Sequence, residues 1–111
     1  MAALERKSQY QDIAVIPVKA LTDRRLPPRD ITVYAALSAH ITEPGWCSPS
    51  LSRIGRMLGI TRQAVQKSVR RLEEFGYLMR HARFEPCRGG DRQSTNRYRL
   101  KSSDEGGAAW L

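Results

Sequence analysis

Apolar residues at Ile31, Val33, Tyr34, Leu37 and Ile41 recur at helical spacing, which predicts a helix opened at Pro28 or Asp30. A second helix holds Leu51, Ile54, Met57 and Leu58 and stops at Gly59. Ser48 or Ser50 is its N-cap, with Pro49 tolerated near its first turn. Thr61 caps a third helix that runs to Phe75 and ends at Gly76. Past Gly76 the period shortens. Residues 77–85 read as a strand and 95–101 as another, with a Gly-rich basic loop of hairpin chemistry over 86–94. Upstream, 13–18 is a short β-prone run that Pro17 limits to an edge strand or extended segment. Residues 21–28 and 42–49 read as loops. The pattern predicts an α+β domain over 13–101, three helices followed by a C-terminal β-hairpin. A flexible N-terminus (1–12) precedes it and a linker-like tail (102–111) follows. No internal repeat interrupts this order.

The chain of 111 residues leaves room for one core, and its 41% hydrophobic content suffices to build it. No apolar run approaches the roughly 20 residues of a membrane span. No apolar stretch follows the charges of the first seven residues, so no secretory signal is expected. Two cysteines, Cys47 and Cys87, are too few for a disulfide framework and point to a reducing cytoplasm.

The formal net charge of +8 is unevenly distributed. Residues 1–49 contribute +1 and residues 101–111 contribute −1, so residues 50–100 supply the whole excess. All twelve cations of that stretch are Arg except Lys67. Arg presents a planar donor fork suited to phosphates and guanine edges, whereas Lys is a point charge. The expected partner is a polyanion.

Residues 50–75 give that partner a shape. Two helices joined through Gly59-Ile60-Thr61 make the short turn of a helix-turn-helix. Gly55 stands where the helices must cross closely, Gly59 supplies the turn's positive φ, and Val65 plugs the crossing from the third helix. Ser68 departs from this scheme, since an apolar residue is commoner there. On residues 61–75, Val65, Val69, Leu72 and Phe75 share one side. The opposite side carries Gln63, Gln66, Lys67 and Arg70, flanked by Arg62 and Arg71. Gln pairs bidentately with adenine and Arg with guanine, so this face suits a major groove. A merely solvated face would more often mix Glu with Lys.

These residues carry a family resemblance. The matching features are Ile16-Pro17-Val18 before Asp23, Val33-Tyr34-Ala35-Ala36-Leu37, and Trp46-Cys47-Ser48-Pro49-Ser50. To them are added the run from Ile54 to Val65, Arg71-Leu72-Glu73-Glu74-Phe75-Gly76-Tyr77-Leu78, and Gly89-Gly90 followed by Ser94-Thr95-Asn96-Arg97-Tyr98-Arg99-Leu100. Residues 14–101 resemble the winged helix-turn-helix domains of phage and plasmid replication proteins and small bacterial regulators. The resemblance implies a DNA-binding winged helix with the hairpin as its wing, and leaves the biological role open.

In the wing, Arg88, Gly89, Gly90, Asp91 and Arg92 make a loop whose glycines permit close approach to phosphates. Its arginines suit the negative potential of a minor groove. An ordinary solvated hairpin is the other reading. Ser48, Ser50 and Arg53 are placed to donate to phosphates, although capping alone would also explain the serines. Trp46 and Tyr34 are expected in the core. The Tyr10 segment and Trp110-Leu111 are either dimer contacts or frayed ends.

His40, Cys47, His81 and Cys87 lack metal-ligand spacing, so no metal or cofactor is expected. Phosphate-loop, nucleophile-elbow and paired-carboxylate patterns are absent, and catalysis is not expected. The reading is a sequence-specific double-stranded DNA-binding protein, a repressor of plasmid, phage or mobile-element type. It would act as a homodimer in a bacterial cytoplasm, associated with nucleoid or plasmid and not with a membrane. The alternatives are a DNA-binding domain or accessory factor of a replication initiator and, below it, a protein-interaction winged helix. Double-stranded RNA is a less suitable ligand for a motif shaped to a DNA major groove.

Overall fold

Ser50 and Thr61 act as the helix starts their positions predict. The Ser50 hydroxyl accepts the Arg53 N–H at 3.0 Å and opens α3 (Leu51–Leu58). The Thr61 hydroxyl accepts the Ala64 N–H at 3.0 Å and opens α4 (Arg62–Glu74). Each satisfies a backbone donor that would otherwise lack a partner at a helix start. Both helices also end alike. Gly59 lies at φ +73° while the Ile60 N–H reaches back to the Gly55 carbonyl at 2.9 Å. Gly76 lies at φ +83° while the Tyr77 N–H reaches the Leu72 carbonyl at 2.9 Å. This closure requires a left-handed residue, which glycine supplies without a side-chain clash.

The computed structural model describes residues 11–43, 45–81, 84–87, 90–93 and 96–101. Within them the chain runs through α1 (Val18–Leu21), α2 (Pro28–Ser38), β1 (Ile41–Glu43) and β2 (Trp46–Cys47) before α3 and α4. Then follow β3 (Leu78–His81), β4 (Phe84–Cys87), β5 (Gly90–Gln93) and β6 (Arg97–Leu100). Strands β1, β2, β6 and β3, in that order, form one antiparallel sheet. A second ladder, β4 with β5, pairs Phe84 with Gln93 and Cys87 with Gly90. This is an α+β winged-helix architecture.

Helices α2, α3 and α4 pack on one another. Val33, Tyr34, Leu37, Ile54, Val65, Val69 and Leu72 from these helices join Leu78, Tyr98 and Leu100 from the sheet in one core. The sheet alternates as a half-buried sheet should. Leu78 pairs with Leu100 inside, while Met79 pairs with Arg99 outside.

A polar contact fixes α4 against α2. The Asp30 carboxylate, 1% exposed, accepts the Ser68 hydroxyl at 2.7 Å and the Arg71 guanidinium at 3.1 Å. Ser68 is therefore no defect in the apolar face, because its hydroxyl satisfies a buried carboxylate. A second contact holds the α1 segment to the end of α4. The Tyr77 hydroxyl donates to Asp23 at 2.8 Å, Arg25 pairs with Asp23 at 2.7 Å, and the Arg25 guanidinium lies 4.2 Å over the Phe75 ring. Gln11, assigned to the flexible N-terminus by sequence, donates its N–H to the Ala39 carbonyl at 2.7 Å.

Several sequence expectations need correction. Helix α2 stops at Ser38, and Ile41 begins a strand instead of ending the helix. Pro28 occupies the start of α2, and Asp30 turns inward to its partners on α4 instead of capping. The loop read over 42–49 contains strand residues because β2 finds its partner, β6, half a chain away. A single turn of helix, α1, occupies sequence read as an extended run and a loop. Most of the loop read over 86–94 is ladder. Pro86 is accommodated because β4 has one partner strand. Met57, one of the apolar residues of α3, is 37% exposed.

Candidate nucleic-acid interface

The interface begins with a steric requirement. A Cβ on Gly55 would stand 2.7 Å from the Ile60 carbonyl oxygen, 3.5 Å from the Thr61 carbonyl carbon and 3.6 Å from the Arg62 nitrogen. Only glycine lets the turn lie this close against α3, and that turn launches α4. Helix α4 then buries Val65, Ser68, Val69 and Leu72 and leaves Arg62, Gln63, Lys67 and Arg70 exposed, with Gln66 half-buried beside them. The outward row therefore contains three cations and two amides.

Several other residues expected at the interface also serve the fold. Arg71 is half-buried and held by Asp30, so it belongs to the α2–α4 contact. Thr61 and Ser50 are exposed, and their hydroxyls serve as caps. Ser48 is half-buried before α3. Arg53 is half-buried near His40, whose pKa is lowered first by burial and further by the Arg53 charge, against a hydrogen bond to the Ala36 carbonyl. Gly90 and Arg92 lie on β5, paired with Cys87 and Glu85. Arg88 and Gly89 lie outside the described residues, as do Tyr10 and the tail with Trp110-Leu111.

Burial raises the pKa of the Tyr98 phenol on β6, while a hydrogen bond with Asn96 and the charges of Arg80 and Arg62 oppose it. Arg80 also pairs with Glu73 at 3.7 Å.

The outer face of the sheet holds a cluster that sequence reasoning missed. Trp46 is half-buried there, not in the core as expected. Tyr34 is fully buried, with its hydroxyl donating to the Lys101 carbonyl at 3.3 Å. The Arg97 guanidinium lies 4.1 Å from the Trp46 ring centroid and the Arg99 guanidinium 5.4 Å. His81 meets the same ring edge-on at 5.1 Å. The available signal was the alternation Arg97-Tyr98-Arg99-Leu100, which aims both arginines to one side of a strand.

Residues 24–78 match the family described as a helix-turn-helix domain. They are a helix-turn-helix domain. With the sheet and its hairpin, this is a winged helix-turn-helix, and such a domain implies DNA binding. No curated protein and no solved structure matches the chain significantly. The match covers α2, β1, β2 with Trp46, α3, α4 and the entry into β3, and stops before β4, β5 and the strand that carries Arg97 and Arg99. Among the described residues no helix is long and apolar enough to cross a membrane, and no three of His, Cys, Asp and Glu gather as a metal site. Cys47 is buried, and burial pushes its thiol up to about 12.

Proposed function

We propose that this winged helix binds double-stranded DNA sequence-specifically and represses transcription by occupying a promoter. The observation carrying this reading is the outward row of α4, with Gln63, Gln66 and Arg70 placed on an element held by Gly55 and Asp30. Helix α4 enters the major groove, and the hairpin lies beside it toward the minor groove. The protein acts as a homodimer on an inverted repeat, in a bacterial cytoplasm on plasmid, phage or chromosomal DNA. Binding is its chemistry, with no catalytic step.

The test is titration into labelled duplex from the region upstream of its own gene and into a scrambled duplex, at two salt concentrations. Preference for the upstream duplex supports an autoregulating repressor. Equal, salt-sensitive binding to both moves the target to another locus, including a replication origin. Binding to neither refutes the proposal. Alanine at Gln66 or Arg70 is expected to lower discrimination between the two duplexes by about 1–3 kcal/mol if the contact is bidentate. An unchanged ratio would remove these residues from the reading face.

A further inference from the structure

We propose that the apolar surface of Ile13, Val15, Val18 and Leu21 is the docking site of this chain's own residues 104–111, with Trp110 and Leu111 covering it and Asp104 and Glu105 meeting Lys19 and Arg24. Docking there is independent of the DNA-binding reading above.

The segment that leads into and through α1 is two-faced. Ile16 packs against the core and Ala20 is fully buried. Ile13 and Val18 are each 71% exposed, and Val15 and Leu21 are exposed with them. Among the described residues the other exposed large apolar side chains are Met57 and Met79, so the exposure is concentrated within nine positions. Single exposed apolar residues are ordinary, whereas a concentration of them marks a contact surface. Val18 and Leu21, three positions apart, share one side of α1. The surroundings are cationic. Lys19 and Arg24 are exposed and form no ion pair among the described residues, while Arg25 is engaged by Asp23. Such a surface suits a short segment in which apolar side chains accompany carboxylates.

Charge and position both favour residues 102–111. Asp104 and Glu105 are the only charged side chains there, and Trp110 and Leu111 supply the large apolar ones. Residues 1–10 instead set Glu5 against Arg6 and Lys7, which is the wrong sign. The Lys101 N–H donates to the Tyr77 carbonyl at 3.0 Å, and the Tyr77 hydroxyl donates to the Lys19 carbonyl of α1 at 3.4 Å. One tyrosine thus spans the gap between residue 101 and α1. At about 3.3–3.6 Å per residue, Trp110 can lie up to about 30 Å from Lys101, and Glu105 up to about 14 Å. Helix α1 is only about 6 Å long, so both are within reach. A second copy laid patch to patch would set Lys19 and Arg24 against their own equivalents. Four side chains are also few beside the roughly 20–30 residues a side of a stable interface.

The test follows methyl and indole NMR signals of the full chain. Trp110→Ala should shift the methyl signals of Ile13, Val18 and Leu21, because the ring current is lost, and leave those of Val33 and Leu72 in place. A Val18→Ser, Leu21→Ser variant should move the Trp110 indole N–H signal to the position of free tryptophan. An Asp104→Lys, Glu105→Lys variant should move it part of the way. Should the serine variant fail to fold, the Trp110→Ala comparison still decides. Unchanged methyl signals in Trp110→Ala overturn the docking. A parental Trp110 signal in the charge-reversed variant overturns the pairing with Lys19 and Arg24, and with it the choice of this segment. Methyl shifts that appear only at concentrations where light scattering detects a dimer would assign the site to a second copy and also overturn it.

Discussion

Replacing Gly55 with Ala tests the crossing of α3 and the turn at its tightest point. The new Cβ would stand 2.7 Å from the Ile60 oxygen, where ordinary contact starts at 3.4 Å. The obstacle is backbone, so relief requires moving the turn or the helix, and not rotating a side chain. Overpacking of this kind costs about 1–3 kcal/mol. Against it, Ala gains up to about 1 kcal/mol over Gly within a helix. The net expectation is destabilisation by about 1–2 kcal/mol. Urea unfolding reads this as a midpoint lower by roughly 0.5–1 M at an unchanged slope. Gly59→Ala is the informative comparison, because nothing lies within 4 Å of its Cβ and only the left-handed backbone opposes it. That costs about 1–2 kcal/mol. The two variants should therefore match in stability and part in DNA affinity. Gly55→Ala pushes on Thr61 and Arg62, where α4 begins, whereas the Gly59 Cβ meets no neighbour. Equal or greater stability of Gly55→Ala than the parent would refute the requirement for glycine at this crossing.

Asp30→Ala leaves the Ser68 hydroxyl buried without its acceptor and releases Arg71. The expected destabilisation is about 2–3 kcal/mol by denaturant titration, below the range for fully buried pairs because Arg71 is partly exposed. Ser68→Ala alone should cost about 1 kcal/mol, and the double variant should cost less than the two singles together. Asp23 has a carboxyl held well below the usual range, first by the Arg25 side-chain hydrogen bond, then by the Arg25 backbone N–H and the Tyr77 hydroxyl. Its stabilising contribution is therefore present above the unfolded-state value of about 3.9 and disappears as pH falls toward the lower folded-state value. Stability measured from about pH 5 to about pH 2 should decline less steeply in Asp23→Asn than in the parent. Parallel profiles would remove Asp23 from the acid response.

The parts of this fold legible in the sequence are those governed by neighbours along the chain. Ser50 and Thr61 signal helix starts because a cap acts three residues away, and Gly59 and Gly76 signal ends because backbone conformation is local. The spacing of Val65, Val69 and Leu72 marks the inner face of α4 for the same reason. The features that escaped depend on partners far along the chain. Strand β2 is two residues long and exists through its pairing with β6. Ser68 looks anomalous until Asp30 is placed against it, and Trp46 looks like core until β6 sets the two arginines beside it. In the candidate interface, the exposed row of α4 was legible from its period. The commitment of Arg71 to Asp30 and the cation–aromatic cluster on the sheet were not.

Asp30 grips α4 through Ser68 and Arg71, which are three positions apart and thus lie on one side of the helix. That grip sets the rotation of α4 about its own axis. The residues that hold the helix are therefore separate from Gln63, Gln66, Lys67 and Arg70, which look outward. A change in the outward set need not disturb the grip, because substitutions at sites without shared partners act nearly independently. On the proposed reading role of α4, such a chain could acquire a new DNA address by point mutation while keeping its scaffold, so descendants of one fold could diverge in the sites they occupy.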